Sequence, residues 1–89
     1  MQTFPKHHII LLPHAEEYRE FYKITLNEIG EVLSAPETVA GLSDSRYTAE
    51  KTLGKKRIAV FYYQTLPMNG RPDEPYAVVD FIGLRELSL

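Results

Sequence analysis

The sequence predicts an α+β domain of order β-α-α-β-β-β, with two helices packed on one face of a twisted antiparallel sheet. Three observations carry this. Two early stretches place apolar residues at three- and four-residue steps, the mark of helices with one buried side. Three later stretches, 46–53, 57–66 and 75–83, alternate in polarity or are apolar on both faces, as strands are. The three strands follow one another through hairpin-like breaks, so they should pair as a meander with the helices layered on one side.

Residues 1–6 read as a lead-in. His7-His8-Ile9-Ile10-Leu11-Leu12 is partly β-branched and is stopped by Pro13, which predicts a strand. A helix follows over 14–23, with Ala15, Tyr18, Phe21 and Tyr22 on one side. Glu16 and Glu17 in its first turn and Lys23 in its last suit the helix dipole. The second helix starts by three independent signals. Thr25-Leu26-Asn27-Glu28 is a capping box, and Ile24 and Ile29 are spaced as a hydrophobic staple. Leu26, Ile29, Val32 and Leu33 then predict the buried stripe. Pro36 ends the helix near Ala35, because proline disfavours α geometry in the residue before it.

Residues 36–45 read as a connection with a short extended piece at Thr38-Val39-Ala40. In 46–53, Tyr47, Ala49 and Leu53 face one way, and Arg46, Thr48, Glu50 and Thr52 the other. Gly54-Lys55-Lys56 is a turn. The strand 57–66, apolar on both faces, should be central. Residues 67–74 hold Pro67, Asn69-Gly70 and Pro72, a long rigid hairpin loop. The tail 84–89 reads as a short helical turn or a frayed end. The domain is therefore placed at 7–83, with 1–6 and 84–89 as flexible or accessory ends.

At 89 residues, 44% hydrophobic and 25% charged, the chain has the balance of one globular domain. A chain this short buries roughly 60–65% of its extended surface, which leaves a thin stability margin. With no cysteine, neither a disulfide nor a thiolate zinc site supplements the core, and a cytoplasmic location fits. The N-terminus does not read as a signal peptide, and no apolar run reaches the length of a membrane span. Net charge is −2, so a polyanion would need a local basic patch. No cofactor fingerprint, metal-ligand set or nucleophile motif stands in the chain, and no cofactor is expected.

His14-Ala15 opens a helix. There follow Ile24-Thr25-Leu26-Asn27-Glu28-Ile29-Gly30-Glu31-Val32-Leu33-Ser34-Ala35-Pro36-Glu37, then Arg46-Tyr47, Gly54 and Arg57-Ile58-Ala59-Val60. This pattern, over residues 10–82, resembles small domains related to BrnT-type toxins. Those are similar in layout to the barnase–EndoU–colicin–RelE group of ribonuclease folds. The resemblance implies metal-independent RNA cleavage and pairing with an antitoxin-like protein. Two features depart from it. The acidic, asparagine-rich opening is missing, and Gly83-Leu84-Arg85-Glu86-Leu87 carries one arginine where a basic end is typical. Both departures favour a branch of that group with no assigned function.

Metal-free RNA cleavage needs a base for the 2′-hydroxyl proton, an acid for the leaving oxygen and a cation for the phosphate. His14 suits the first two roles near neutral pH, and its place at a helix start could hold a phosphate. The plainer reading is that it caps or packs that helix start. His7 and His8 point to opposite faces of a strand and do not converge on one metal. Arg46, Lys51, Lys55, Lys56 and Arg57 form the one basic cluster, either phosphate contacts or solvated hairpin charges. Arg57 is set apart by beginning the central strand. Tyr47, Tyr62, Tyr63 and Tyr76 are either stacking platforms or core and cross-strand packing. Asp80 stands inside an apolar strand, where it either orients a catalytic histidine, meets a cation or tyrosine of a neighbouring strand, or faces solvent or a dimer partner. Glu16-Glu17 and Asp73-Glu74 are not acid/base pairs. His14 and Arg57 are thus the expected catalytic participants. Against this stands a non-catalytic binding or assembly module on the same scaffold. Two helices cover one face of the sheet only, so a homodimer is expected over the other; folding back of Leu84, Leu87 and Leu89 is the alternative cover.

Overall fold

A computed structural model describes residues 9–43, 46–65 and 76–87. The elements are β1 (Ile9–Leu11), α1 (Pro13–Tyr22), α2 (Leu26–Ser34), β2 (Thr38–Ser43), β3 (Arg46–Leu53), β4 (Lys56–Thr65) and β5 (Tyr76–Glu86). They form an α+β fold with one sheet of order β1-β5-β4-β3-β2. The last three strands are the antiparallel meander read from the sequence, and β2 extends it at the β3 edge. His7-His8, the lead-in 1–6, the loop 67–74 and Leu89 lie outside the described residues.

Two points differ from the all-antiparallel expectation. The sheet has a fifth strand, because the extended piece at Thr38 runs on to Ser43 as an edge. Edge strands need no apolar alternation, and here only Val39 turns partly inward, so periodicity gives no signal. The sheet is also mixed, since β1 pairs in parallel with β5. Three antiparallel steps from β2 to β5 reverse the chain three times, and β5 arrives alongside β1 in the same sense.

Helix α2 begins as its sequence dictates. Glu28 N–H donates to Thr25 Oγ1 at 3.1 Å, and Thr25 N–H donates to the Glu28 carboxylate at 2.9 Å. Ile24 and Ile29, the staple, are both buried. Leu26 departs from the predicted stripe: it is 58% exposed, standing at the first helical position on the solvent side, and Gly30 joins Ile29, Val32 and Leu33 inside. In α1 the expected one-sided set also divides. Ala15 is fully buried and Tyr22 packs against the core, while Tyr18 and Phe21 stand exposed. The cause is placement, since α1 packs mainly on β5 while α2 lies over β3 and β4. Lys23 ends α1 in the left-handed region (φ 58°), and Arg19 Nη1 donates to Ile24 O at 3.0 Å, tying the two helices together.

The core lies between the helices and one face of the sheet. Ile29 and Leu33 meet Ile58, Val60, Val79 and Ile82, all fully or almost fully buried. The other face carries the opposite parity of β4, namely Arg57, Ala59, Phe61 and Tyr63. Tail residues 84–86 do not form a helical turn; they continue β5 opposite Lys56, Arg57 and Ile58. Leu84 packs on the core, and Leu87 N–H donates to Lys55 O at 2.8 Å, so the two described tail leucines do not fold over the open face.

Candidate active site on the open sheet face

Strand alternation builds the site. Ile58, Val60 and Tyr62 of β4 turn to the core, so the residues between them turn out. Across to β5 the register sets Arg57 opposite Arg85, Ala59 opposite Gly83, and Phe61 opposite Phe81. The result is a trough. Its floor is the small pair Ala59 and Gly83. One wall is the two phenyl rings, edge to face at 5.4 Å. The other wall is the two arginines, with Glu50 of β3 beside them, and the trough encloses about 300 Å³.

A register shift between Phe61 and Tyr62 makes this arrangement. Val79 and Ile82 both face the core although they stand three positions apart, which strict alternation forbids. The bulge takes up the odd residue and turns Phe81 outward beside Phe61.

The electrostatics distinguish the two arginines. Arg57 donates through Nε to Glu50 at 3.1 Å, and through Nη1 to Glu37 at 3.1 Å and Thr52 Oγ1 at 2.9 Å; a longer Nη2 contact reaches Thr38 Oγ1 at 3.4 Å. Glu37 also accepts the Thr52 backbone N–H at 2.6 Å, which with Arg57 holds its carboxyl below the usual carboxylate range. Arg85 is exposed and makes no ion pair among the described residues. Like charges directly opposite repel, so Glu37 and Glu50 make it tolerable for Arg57 to face Arg85.

The other predicted residues separate. Arg46 lies over the Tyr63 ring, 5.2 Å from its centroid, and reaches Asp80 at 3.1 Å, so Asp80 is met by a cation from two strands away. Arg46 Nε, Asp80 Oδ1 and the nearby Thr48 Oγ1 are buried without a protein partner among the described residues. Lys51 and Lys56 point to the helix side and pair with Glu31 at 3.1 Å and Glu28 at 2.6 Å. Lys55 sits exposed at the turn. The basic cluster is therefore divided between two faces. Tyr62 is buried and stacks on Tyr47 at 5.8 Å as part of the core, and burial raises its pKa.

His14 is exposed at the start of α1 and lines a separate groove with Glu17, Tyr18, Phe21 and Tyr22. It does not share a groove with Arg57. Glu50, Phe61, Phe81 and Arg85 are the site residues that sequence reasoning missed. Among the described residues no cluster of histidine and acidic side chains could hold a metal ion, and no helix is long and apolar enough to cross a membrane. Comparison with protein-family models, with curated proteins and with solved structures finds no match.

Proposed function

We propose that this chain is a small metal-independent endoribonuclease domain whose active site is the trough over Ala59 and Gly83. The observation that carries the reading is the convergence there of a carboxylate, two guanidinium groups and two aromatic rings. Each has a role in cleaving RNA through its own 2′-hydroxyl. Glu50 takes the 2′-hydroxyl proton, the role of a general base. The 2′-oxygen bonds to phosphorus, and the bond to the 5′-oxygen breaks. That oxygen takes a proton from water, leaving a 2′,3′-cyclic phosphate and a 5′-hydroxyl. Arg85, helped by Arg57, holds the phosphate and stabilises its added negative charge. Phe61 and Phe81 offer a face to a base, which requires RNA unpaired at that point. His14 has no part in this scheme, and the resemblance to BrnT-type toxins supports the reaction class but not that residue.

The test is incubation of the purified, folded protein with single-stranded RNA in the presence of a chelator. Cleavage is expected, with a cyclic phosphate end. Glu50→Gln should lower the rate about 10²- to 10⁴-fold, the usual share of a general base, while circular dichroism stays that of the native fold. A folded protein free of inhibitor that leaves diverse RNAs intact would sink the proposal.

A second reading has its own observation. Ile10, Tyr63 and Phe81 expose 46%, 39% and 37% of their surface on this face, the kind of apolar surface a partner covers. They favour a non-catalytic module that covers this face with a second copy or another protein.

A further inference from the structure

We infer that the groove along α1 is a second nucleobase subsite, joined to the trough by a row of touching rings and filled by a base of the same single-stranded RNA. The inference rests on the ribonuclease reading of the trough. The groove encloses about 340 Å³ between His14, Glu17, Tyr18, Phe21 and Tyr22. Its rings join those of the trough without a break. Phe81 meets Phe61 at 5.4 Å on one side and Tyr18 at 4.6 Å on the other. Tyr18 stacks on Tyr22 at 6.4 Å, and Phe21 meets Tyr22 edge to face at 5.3 Å. Five rings therefore run from the middle of the sheet onto the helix.

The fold does not account for the outer end of this row. Ala15 is the one residue of α1 that is buried, and Phe21 is 79% exposed, the most of the large apolar side chains described. Every base has a face that stacks on such a ring, so a row of rings suits a flexible strand of any sequence. Charge decides which part of the nucleotide sits here. Glu17 lines the groove and repels a phosphate, while exposed His14 can donate to or accept from a base edge. The groove therefore takes a base, and the phosphate that is cleaved stays with Arg57 and Arg85.

Affinities of 2′-O-methyl uridine oligonucleotides, which lack the attacking hydroxyl, test this by fluorescence anisotropy. A dinucleotide fills the trough alone, and an octanucleotide reaches both sites. Phe21→Ala should weaken octanucleotide binding about 5- to 150-fold, the worth of one stacked base. Dinucleotide binding should hold, and Phe21→Trp should restore the octanucleotide. Octanucleotide binding unmoved by Phe21→Ala, with the dinucleotide still bound, overturns the second subsite and leaves the trough standing. Wild-type protein that binds neither overturns both. If Phe21→Ala instead halves the mass in solution with no effect on RNA, the ring is a contact between copies and the inference is wrong.

Discussion

Gly83→Leu separates the trough from the fold that carries it. Gly83 lies within β5, opposite Ala59, and its backbone is not in the left-handed region. A Cβ built there would meet Ala59 Cβ at 3.8 Å and Phe81 Cε1 at 3.9 Å, ordinary contacts. Neither sterics nor dihedral angles therefore require a glycine. A glycine in a strand leaves room for a close approach that any side chain would fill. Replacing it removes a conformational cost of about 0.5–1 kcal/mol, which raises Tm by about 2–8 °C in a domain of this size. The leucine side chain rises from the floor into the trough of about 300 Å³, between the phenyl rings and the arginines. A base can no longer stack there, and the loss of about 1–3 kcal/mol lowers RNA cleavage and binding by five- to 150-fold. Thermal denaturation and RNA cleavage on one preparation check both halves. Full cleavage by a folded variant would refute the trough as the site. A Tm lowered by several degrees would refute the claim that the glycine is structurally dispensable.

Three further outcomes follow from the fold. Thr25→Ala removes the acceptor of the Glu28 N–H and should lower stability by about 1 kcal/mol, or Tm by about 4–8 °C, on thermal denaturation. Glu37, through the Thr52 N–H and then Arg57, and Glu16, through its hydrogen bond from Arg19, have folded pKa values below the ordinary 4.5. The unfolded chain then binds more protons, so their stabilisation is present above that value and is lost as pH falls through the folded ones. Tm should hold above about pH 6 and drop below about pH 4.5, with a shallower drop in Glu37→Gln, as a denaturation series in pH will show. Light scattering at micromolar concentration distinguishes the two readings of the open face: a mass near 10.2 kDa keeps the trough open to RNA, and twice that mass, returned to 10.2 kDa by Ile10→Glu, makes the face an interface.

Local signals proved sufficient for local structure. The Thr25 box needs four consecutive residues, and the structure forms both of its hydrogen bonds. The alternation of Arg46–Leu53 and the turn at Gly54, with φ at 65°, likewise lie within a few residues. What stayed hidden depends on partners far along the chain. Strand β1 is parallel because of where β5 arrives, and nothing in Ile9-Ile10-Leu11 states it. The edge strand Thr38–Ser43 is held by its ladder to β3 and by Glu37, whose carboxylate receives the Thr52 N–H and Arg57 at the strand's start. Leu26 and Phe21 obey helical periodicity yet face solvent, because periodicity gives a side of the helix and not how much of that side the sheet reaches.

The site is the sharpest case of this limit. Arg57 could be singled out because it opens a central strand, but its meaning lies in standing opposite Arg85 and beside Glu50, which is a matter of register. The basic cluster looked continuous along the sequence from Arg46 to Arg57. Alternation sends Lys51 and Lys56 to carboxylates on α2, while Arg46 and Arg57 go to the open face. Phe81 is the residue that plain alternation misplaces. Counted from buried Val79 in steps of two, it belongs to the core and Ile82 to solvent. The reverse is found, because the bulge inserts one residue before Phe81. The sequence does not show that parity break, because Val78 and Phe81 are as apolar as the buried Ala77, Val79 and Ile82. The same shift that places Ile82 in the core puts Phe81 against Phe61 and within 4.6 Å of Tyr18. One inserted residue thus completes the aromatic wall of the trough and links it to the groove on α1.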